Sequence, residues 1–112
     1  MAATPESKVK AQIKKILKAE DVYYAMPIGT GFGRSGVPDF LCCVNGFFLA
    51  IEAKAAGGKA TALQKRQLQH IDMAGGYPLI IDETNFDYLT NIIRNLKNLK
   101  DCADVTCKYK GV

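Results

Sequence analysis

Asn45-Gly46 lies between two runs of strand-forming residues, PDFLCCV and FFLAIEAK, and no other dipeptide in the chain restricts its folding as much. An Asn-Gly pair enters the left-handed backbone region at little cost, so it favours the two-residue turn whose twist matches that of the strands it joins. A two-residue loop dictates the pairing: Val44 with Phe47, Cys43 with Phe48, Cys42 with Leu49, Leu41 with Ala50, Phe40 with Ile51, and Asp39 with Glu52. Side-chain alternation then puts Lys54 on the face of Glu52, while Phe40, Ile51 and Ala53 point the other way. Two carboxylates and an ammonium meet at one end of the hairpin.

Like charges opposed across a sheet, with Cβ atoms about 5 Å apart, are destabilising unless something offsets them. A hard divalent cation does so, because Mg²⁺ takes one or two carboxylates, keeps several waters and leaves room for phosphate oxygens. The competing reading is an exposed hairpin end carrying an ordinary Lys and Glu pair. Register, spacing and residue type together favour the chemical reading. That register rests on loop length, since a three-residue loop would slide Asp39 away from Glu52.

Pro38-Asp39, a gap of twelve residues and then Glu52-Ala53-Lys54 resemble the signature of the PD-(D/E)xK nuclease superfamily. Gly36-Val37-Pro38-Asp39, with Thr61-Ala62-Leu63-Gln64 and Gly75-Gly76 further on, is similar to its VRR-NUC (viral replication and repair nuclease) branch. The likeness spans about residues 6 to 81. It implies a restriction-endonuclease-like fold with Asp39, Glu52, Lys54, Gln64 and an N-terminal helical Glu6 at the catalytic centre. Asp39, Glu52 and the Ala53 carbonyl would then hold Mg²⁺, with Mn²⁺ able to substitute.

Length and composition are consistent with one domain over residues 1–112, long enough to bury a core without disulfides. Cys42 and Cys43 are adjacent on a strand and so face opposite sides. Cys102 and Cys107 lie far along the chain, and with a single histidine, His70, neither a zinc module nor a secreted disulfide framework fits. Free thiols, the lack of a signal-peptide pattern and the absence of any apolar stretch of membrane-spanning length predict a soluble cytoplasmic protein, bacterial or phage-encoded by the resemblance. The formal charge of +4 suits a polyanionic partner without demanding one. Arg34, Lys59, Lys65 and Arg66 flank the carboxylate cluster and are the candidate nucleic-acid contacts.

Thr4-Pro5-Glu6 supplies an N-cap and a proline at the first helical position, and Val9, Ile13, Ile16 and Leu17 follow at helical spacing, which predicts a helix over 5–20. Glu6 near that helix's positive end has a simple alternative role, a dipole interaction worth a few tenths of a kcal/mol. Tyr23 to Met26 reads as a short strand and Pro27 to Gly36 as a glycine-rich loop. Gly31-x-Gly33-x-x-Gly36 matches a dinucleotide fingerprint in spelling only, because a strand and not a helix follows it. Gly58-Lys59 lacks the spacing of a P-loop. Thr61 and Gln64 form a capping box opening a second helix that ends at Gly75-Gly76, a structural explanation of Gln64 that competes with the one the resemblance implies. Tyr77 to Ile81 reads as a buried strand, and Thr84 to Lys100 as a third helix with one apolar stripe. His70 is assigned no role, and the tail, about 101–112, is expected to be an edge strand or disordered. The order αβββαβα, an αβββαβ core with one more helix, argues for an α/β fold with a mixed sheet flanked by helices.

The resemblance implies a Mg²⁺-dependent endodeoxyribonuclease, selective for branched DNA structure rather than sequence and working as a homodimer like a Holliday-junction resolvase. Two other readings stay open. One is a non-catalytic nucleic-acid-binding module of the same fold; the other is a small partner-binding domain that uses the third helix's stripe.

Overall fold

The Asn45-Gly46 turn forms, with φ of +53° at Asn45 and +86° at Gly46. In the computed structural model, which describes residues 4–28 and 35–99, it joins β2 (Phe40–Val44) to β3 (Phe47–Ala53). The antiparallel register runs from Val44 opposite Phe47 to Phe40 opposite Ile51, as a two-residue loop requires. The turn has a second role that the sequence does not show. The Asn45 side-chain amide donates to the carbonyls of Leu96 at 2.9 Å and Leu99 at 2.7 Å. Leu96 lies in the last turn of a helix, where its carbonyl also accepts from the Leu99 amide at 3.3 Å, and Leu99 is that helix's C-cap.

Around the hairpin the order is α1 (Pro5–Ala19), β1 (Tyr23–Ala25), β2, β3, α2 (Ala62–Met73), β4 (Tyr77–Ile81) and α3 (Phe86–Asn98). The sheet is mixed, ordered β1-β2-β3-β4, with antiparallel pairs up to β3 and β4 parallel to β3. A parallel neighbour needs a crossover, and α2 supplies it. On one face, Val9, Ile13 and Leu17 of α1 and Leu89, Ile93 and Leu96 of α3 form one buried core with Phe40, Cys42, Val44, Leu49, Ile51 and Ala53. On the other face Phe48 and Ile71 of α2 both lie close against Gly76. Cys42 is buried and Cys43 exposed, both as free thiols, as alternation predicts.

Local chemistry sets the helix ends. Thr4 caps α1 by accepting from the Ser7 amide at 3.1 Å, and Pro5 opens the first turn. At the far end of α1, Glu20 meets Arg94 at 3.0 Å and Lys97 at 3.2 Å, tying α1 to α3. Arg94 first and Lys97 second hold the Glu20 carboxyl below its ordinary range.

Two expectations are corrected. Helix α3 begins at Phe86 rather than Thr84, because Asp82 accepts from both the Thr84 amide and its hydroxyl while Asn85 accepts from the Asp82 amide. Those bonds make residues 82–85 a turn. Strand β4 is only partly buried: Ile81 is in the core, but as an edge strand β4 leaves Tyr77 38% and Ile80 43% exposed. The C-terminal tail and its cysteines lie outside the described residues. Among the described residues no helix is long and apolar enough to cross a membrane.

Replacing Asn45 by Gly keeps the backbone turn and deletes both bonds to α3. The expected loss is about 1–3 kcal/mol, measured as a lower urea midpoint at unchanged m-value. Equal stability would mean that the link between hairpin and helix contributes nothing.

Candidate active site

Strand alternation sends the Glu52 side chain away from the core face that receives Ile51 and Ala53, yet it is only 1% exposed. Its Oε2 lies 3.5 Å from Lys54 Nζ, a side chain itself only 12% exposed. Among the described residues its Oε1 is buried with no hydrogen-bond partner. Burial raises the Glu52 carboxyl from its ordinary 4.5 to about 7; the Asp39 charge adds to the rise, Lys54 opposes it, and Glu6 contributes a last, smaller push upward. An unsatisfied buried carboxylate oxygen costs free energy, so this arrangement does not serve stability and marks Glu52 as a candidate site residue.

Asp39 is held differently. Regular pairing stops at Phe40 and Ile51, and the side chain of Asp39 takes over from its backbone, with Oδ2 accepting the Ala53 N–H at 2.9 Å. Its Oδ1 lies 3.5 Å from Lys10 Nζ, and Lys10 is 3.9 Å from Glu6 one helical turn earlier. Two donors from different elements therefore fix the orientation of the carboxylate. The approach to Asp39 is equally constrained. Pro38 is fully buried, and Gly36 has φ +78° at a point where a Cβ would fall 2.7 Å from the Leu63 carbonyl carbon. Only glycine permits that conformation and that contact between the loop and the start of α2.

Asp39, Glu52, Lys54 and Glu6 are thus gathered at one end of the sheet, together with Lys10, which the sequence reading missed. The signal for Lys10 was its spacing from Glu6, four residues along the same helix. The other candidate residues make no direct contact of this kind with the cluster among the described residues. The capping box of α2 is fully formed, with Gln64 Oε1 accepting from the Thr61 amide at 2.9 Å and Thr61 Oγ1 accepting from the Gln64 amide at 3.2 Å. Among the described residues no hydrogen bond joins Gln64 to Asp39, Glu52 or Lys54. Lys59, Lys65 and Arg66 are exposed and form no ion pair with the cluster. Arg34 lies outside the described residues.

No set of three or more His, Cys, Asp or Glu converges among the described residues. The donors that the resemblance implies for a metal are Glu52, Asp39 and the Ala53 carbonyl. Such a set suits a hard cation that completes its shell with water. The unpartnered Oε1 of Glu52 is the observation that fits a cation here.

Two predictions follow from these contacts. Between about pH 4.5 and about 7 the metal-free folded protein holds a proton at Glu52 that the unfolded chain has released, so stability falls as pH rises through that window. Glu52→Gln removes the dependence and gains on the order of 3 kcal/mol over wild type at the alkaline end, read from urea melts in EDTA; parallel pH profiles would show that the site does not raise this carboxyl. Gln64→Ala breaks one half of the capping box and costs about 1 kcal/mol in the same melts.

No protein-family model matches the chain, and no curated protein matches it. Among solved structures the chain is similar to a VRR_NUC domain protein, with a TM-score of 0.62 and 16% identity over 86% of this chain and 90% of that one. At that identity the likeness is one of fold, and the chain has the mixed-sheet α/β fold of that VRR_NUC domain protein.

Proposed function

We propose that the protein is a divalent-metal-dependent endonuclease that hydrolyses phosphodiester bonds in DNA. The observation that carries this reading is the meeting of Asp39, buried Glu52 and Lys54 at one sheet end, with one Glu52 oxygen left unpartnered. The fold supports it, being that of a VRR_NUC domain protein.

Glu52, Asp39 and the Ala53 carbonyl would hold Mg²⁺ or Mn²⁺. Such an ion neutralises charge on a phosphate and acidifies water. The chain's own residues do the positioning. The Ala53 amide and the Lys10 ammonium hold Asp39 from two sides, so its carboxylate is oriented before any ligand arrives. Lys54, largely enclosed beside Glu52, would present its ammonium where an in-line attack on phosphorus builds negative charge on the non-bridging oxygens. Glu6 at the start of α1 adds a further acidic group at the rim, and the flanking Lys59, Lys65 and Arg66 offer phosphate contacts. Such contacts position a nucleic acid without reading its bases, which favours recognition of DNA structure over sequence. Action on branched DNA by a homodimer completes the reading, since two sites related by a two-fold axis can cut two strands.

The test is cleavage of labelled duplex, single-stranded and four-way-junction DNA in Mg²⁺, Mn²⁺ or EDTA. Wild type should cut only with metal, and Lys54→Met should lower the rate by about 10²-fold or more while still binding DNA. Binding without cutting by wild type would favour the non-catalytic module. Cutting by Lys54→Met at the wild-type rate would remove the residue from the site.

A further inference from the structure

Helix α1 carries all of the protein's excess positive charge. Of fifteen basic and eleven acidic residues in the chain, α1 holds five lysines and one glutamate, so the remaining ten basic and ten acidic residues cancel. We propose that the ridge Lys10, Lys14 and Lys18 is a track for the DNA phosphate backbone that leads into the carboxylate site, an inference that rests on the nuclease reading.

Three observations support it. First, the ridge is continuous with the site. Steps of four residues run from Glu6 to Lys10 to Lys14 to Lys18, and Lys10 already touches Asp39 at 3.5 Å. At a rise of 1.5 Å per residue, Lys10 to Lys18 spans about 12 Å, which matches roughly three to four nucleotides of one strand. Second, two of these three charges are unspent within the described residues. Lys14 and Lys18 are exposed, and neither is within ion-pair distance of a described carboxylate. Like charges four residues apart cost a helix a few tenths of a kcal/mol per pair. The helix dipole offsets that for Lys18 in the last turn but not for Lys14 in the middle. Third, the geometry disfavours a membrane surface as the partner. A membrane-surface helix needs a free apolar face, whereas Val9, Ile13 and Leu17 are buried under the sheet.

The experiment measures binding of labelled duplex and four-way-junction DNA in EDTA, from about 50 to 200 mM salt, for wild type, Lys14→Gln/Lys18→Gln, and Lys59→Gln/Lys65→Gln/Arg66→Gln. Loss of two phosphate contacts makes the slope of log affinity against log salt shallower by about 1.8, so between those salt concentrations wild type loses about tenfold more affinity than the Lys14/Lys18 variant. Its melting temperature and its single-turnover cleavage rate at saturating DNA should match wild type. A wild-type slope in the Lys14/Lys18 variant would overturn the track and leave the nuclease reading standing, with the Lys59/Lys65/Arg66 variant then expected to carry the loss. A wild type that neither binds nor cuts DNA would overturn both. Binding to anionic vesicles in place of DNA, lost in the Lys14/Lys18 variant, would reassign the ridge to a lipid surface.

Discussion

A two-residue turn governs the geometry of this molecule. Because strand side chains alternate with a period of two, inserting one residue at Asn45-Gly46 would move Glu52 to the core face and bring Ile51 out. The left-handed backbone at Asn45 and Gly46 excludes that slip, and the same asparagine's amide holds the end of α3. Register, helix packing and the position of Glu52 relative to Asp39 therefore share one local cause. The sheet's other constraint is the parallel pairing of β4 with β3, which places the Lys54 amide 2.9 Å from the Ile81 carbonyl.

Electrostatics divide the two carboxylates. Asp39 is satisfied within the protein by a backbone amide and a lysine, and its removal would leave the Ala53 N–H without its acceptor. An Asp39→Asn substitution that keeps an acceptor oxygen is therefore a cleaner probe than alanine. Among the described residues Glu52 has only Lys54, at 3.5 Å, against burial and two acidic neighbours. The metal-free protein meets this by holding the Glu52 proton up to about pH 7. A divalent ion would meet it by charge, releasing the proton as it binds. A buried carboxyl perturbed in this way by a specific neighbour is the basis on which Glu52 is a functional-site candidate.

Much of this was legible in the sequence because its causes are local. The hairpin register, the Thr4-Pro5 start of α1 and the Thr61-Gln64 capping box each depend on residues within a few positions of one another. What was not legible depends on tertiary crossings. Lys10 reads as an ordinary helix partner of Glu6 until α1 is laid across the end of β2, where it meets Asp39. The exposure of β4 follows from strand order, which an apolar pentapeptide does not specify. The start of α3 was placed too early because the side-chain bonds of Asp82 and Asn85 compete with helix, a contest that apolar periodicity cannot report.

The central claim, that Asp39, Glu52 and the Ala53 carbonyl form a cation site, is tested most directly by anomalous diffraction from crystals soaked in Mn²⁺. A single strong peak within about 2.0–2.6 Å of Glu52 Oε1 and a carboxylate oxygen of Asp39, absent from Glu52→Gln crystals, is the predicted result. A peak elsewhere, or none at Mn²⁺ concentrations that support cleavage, would contradict it.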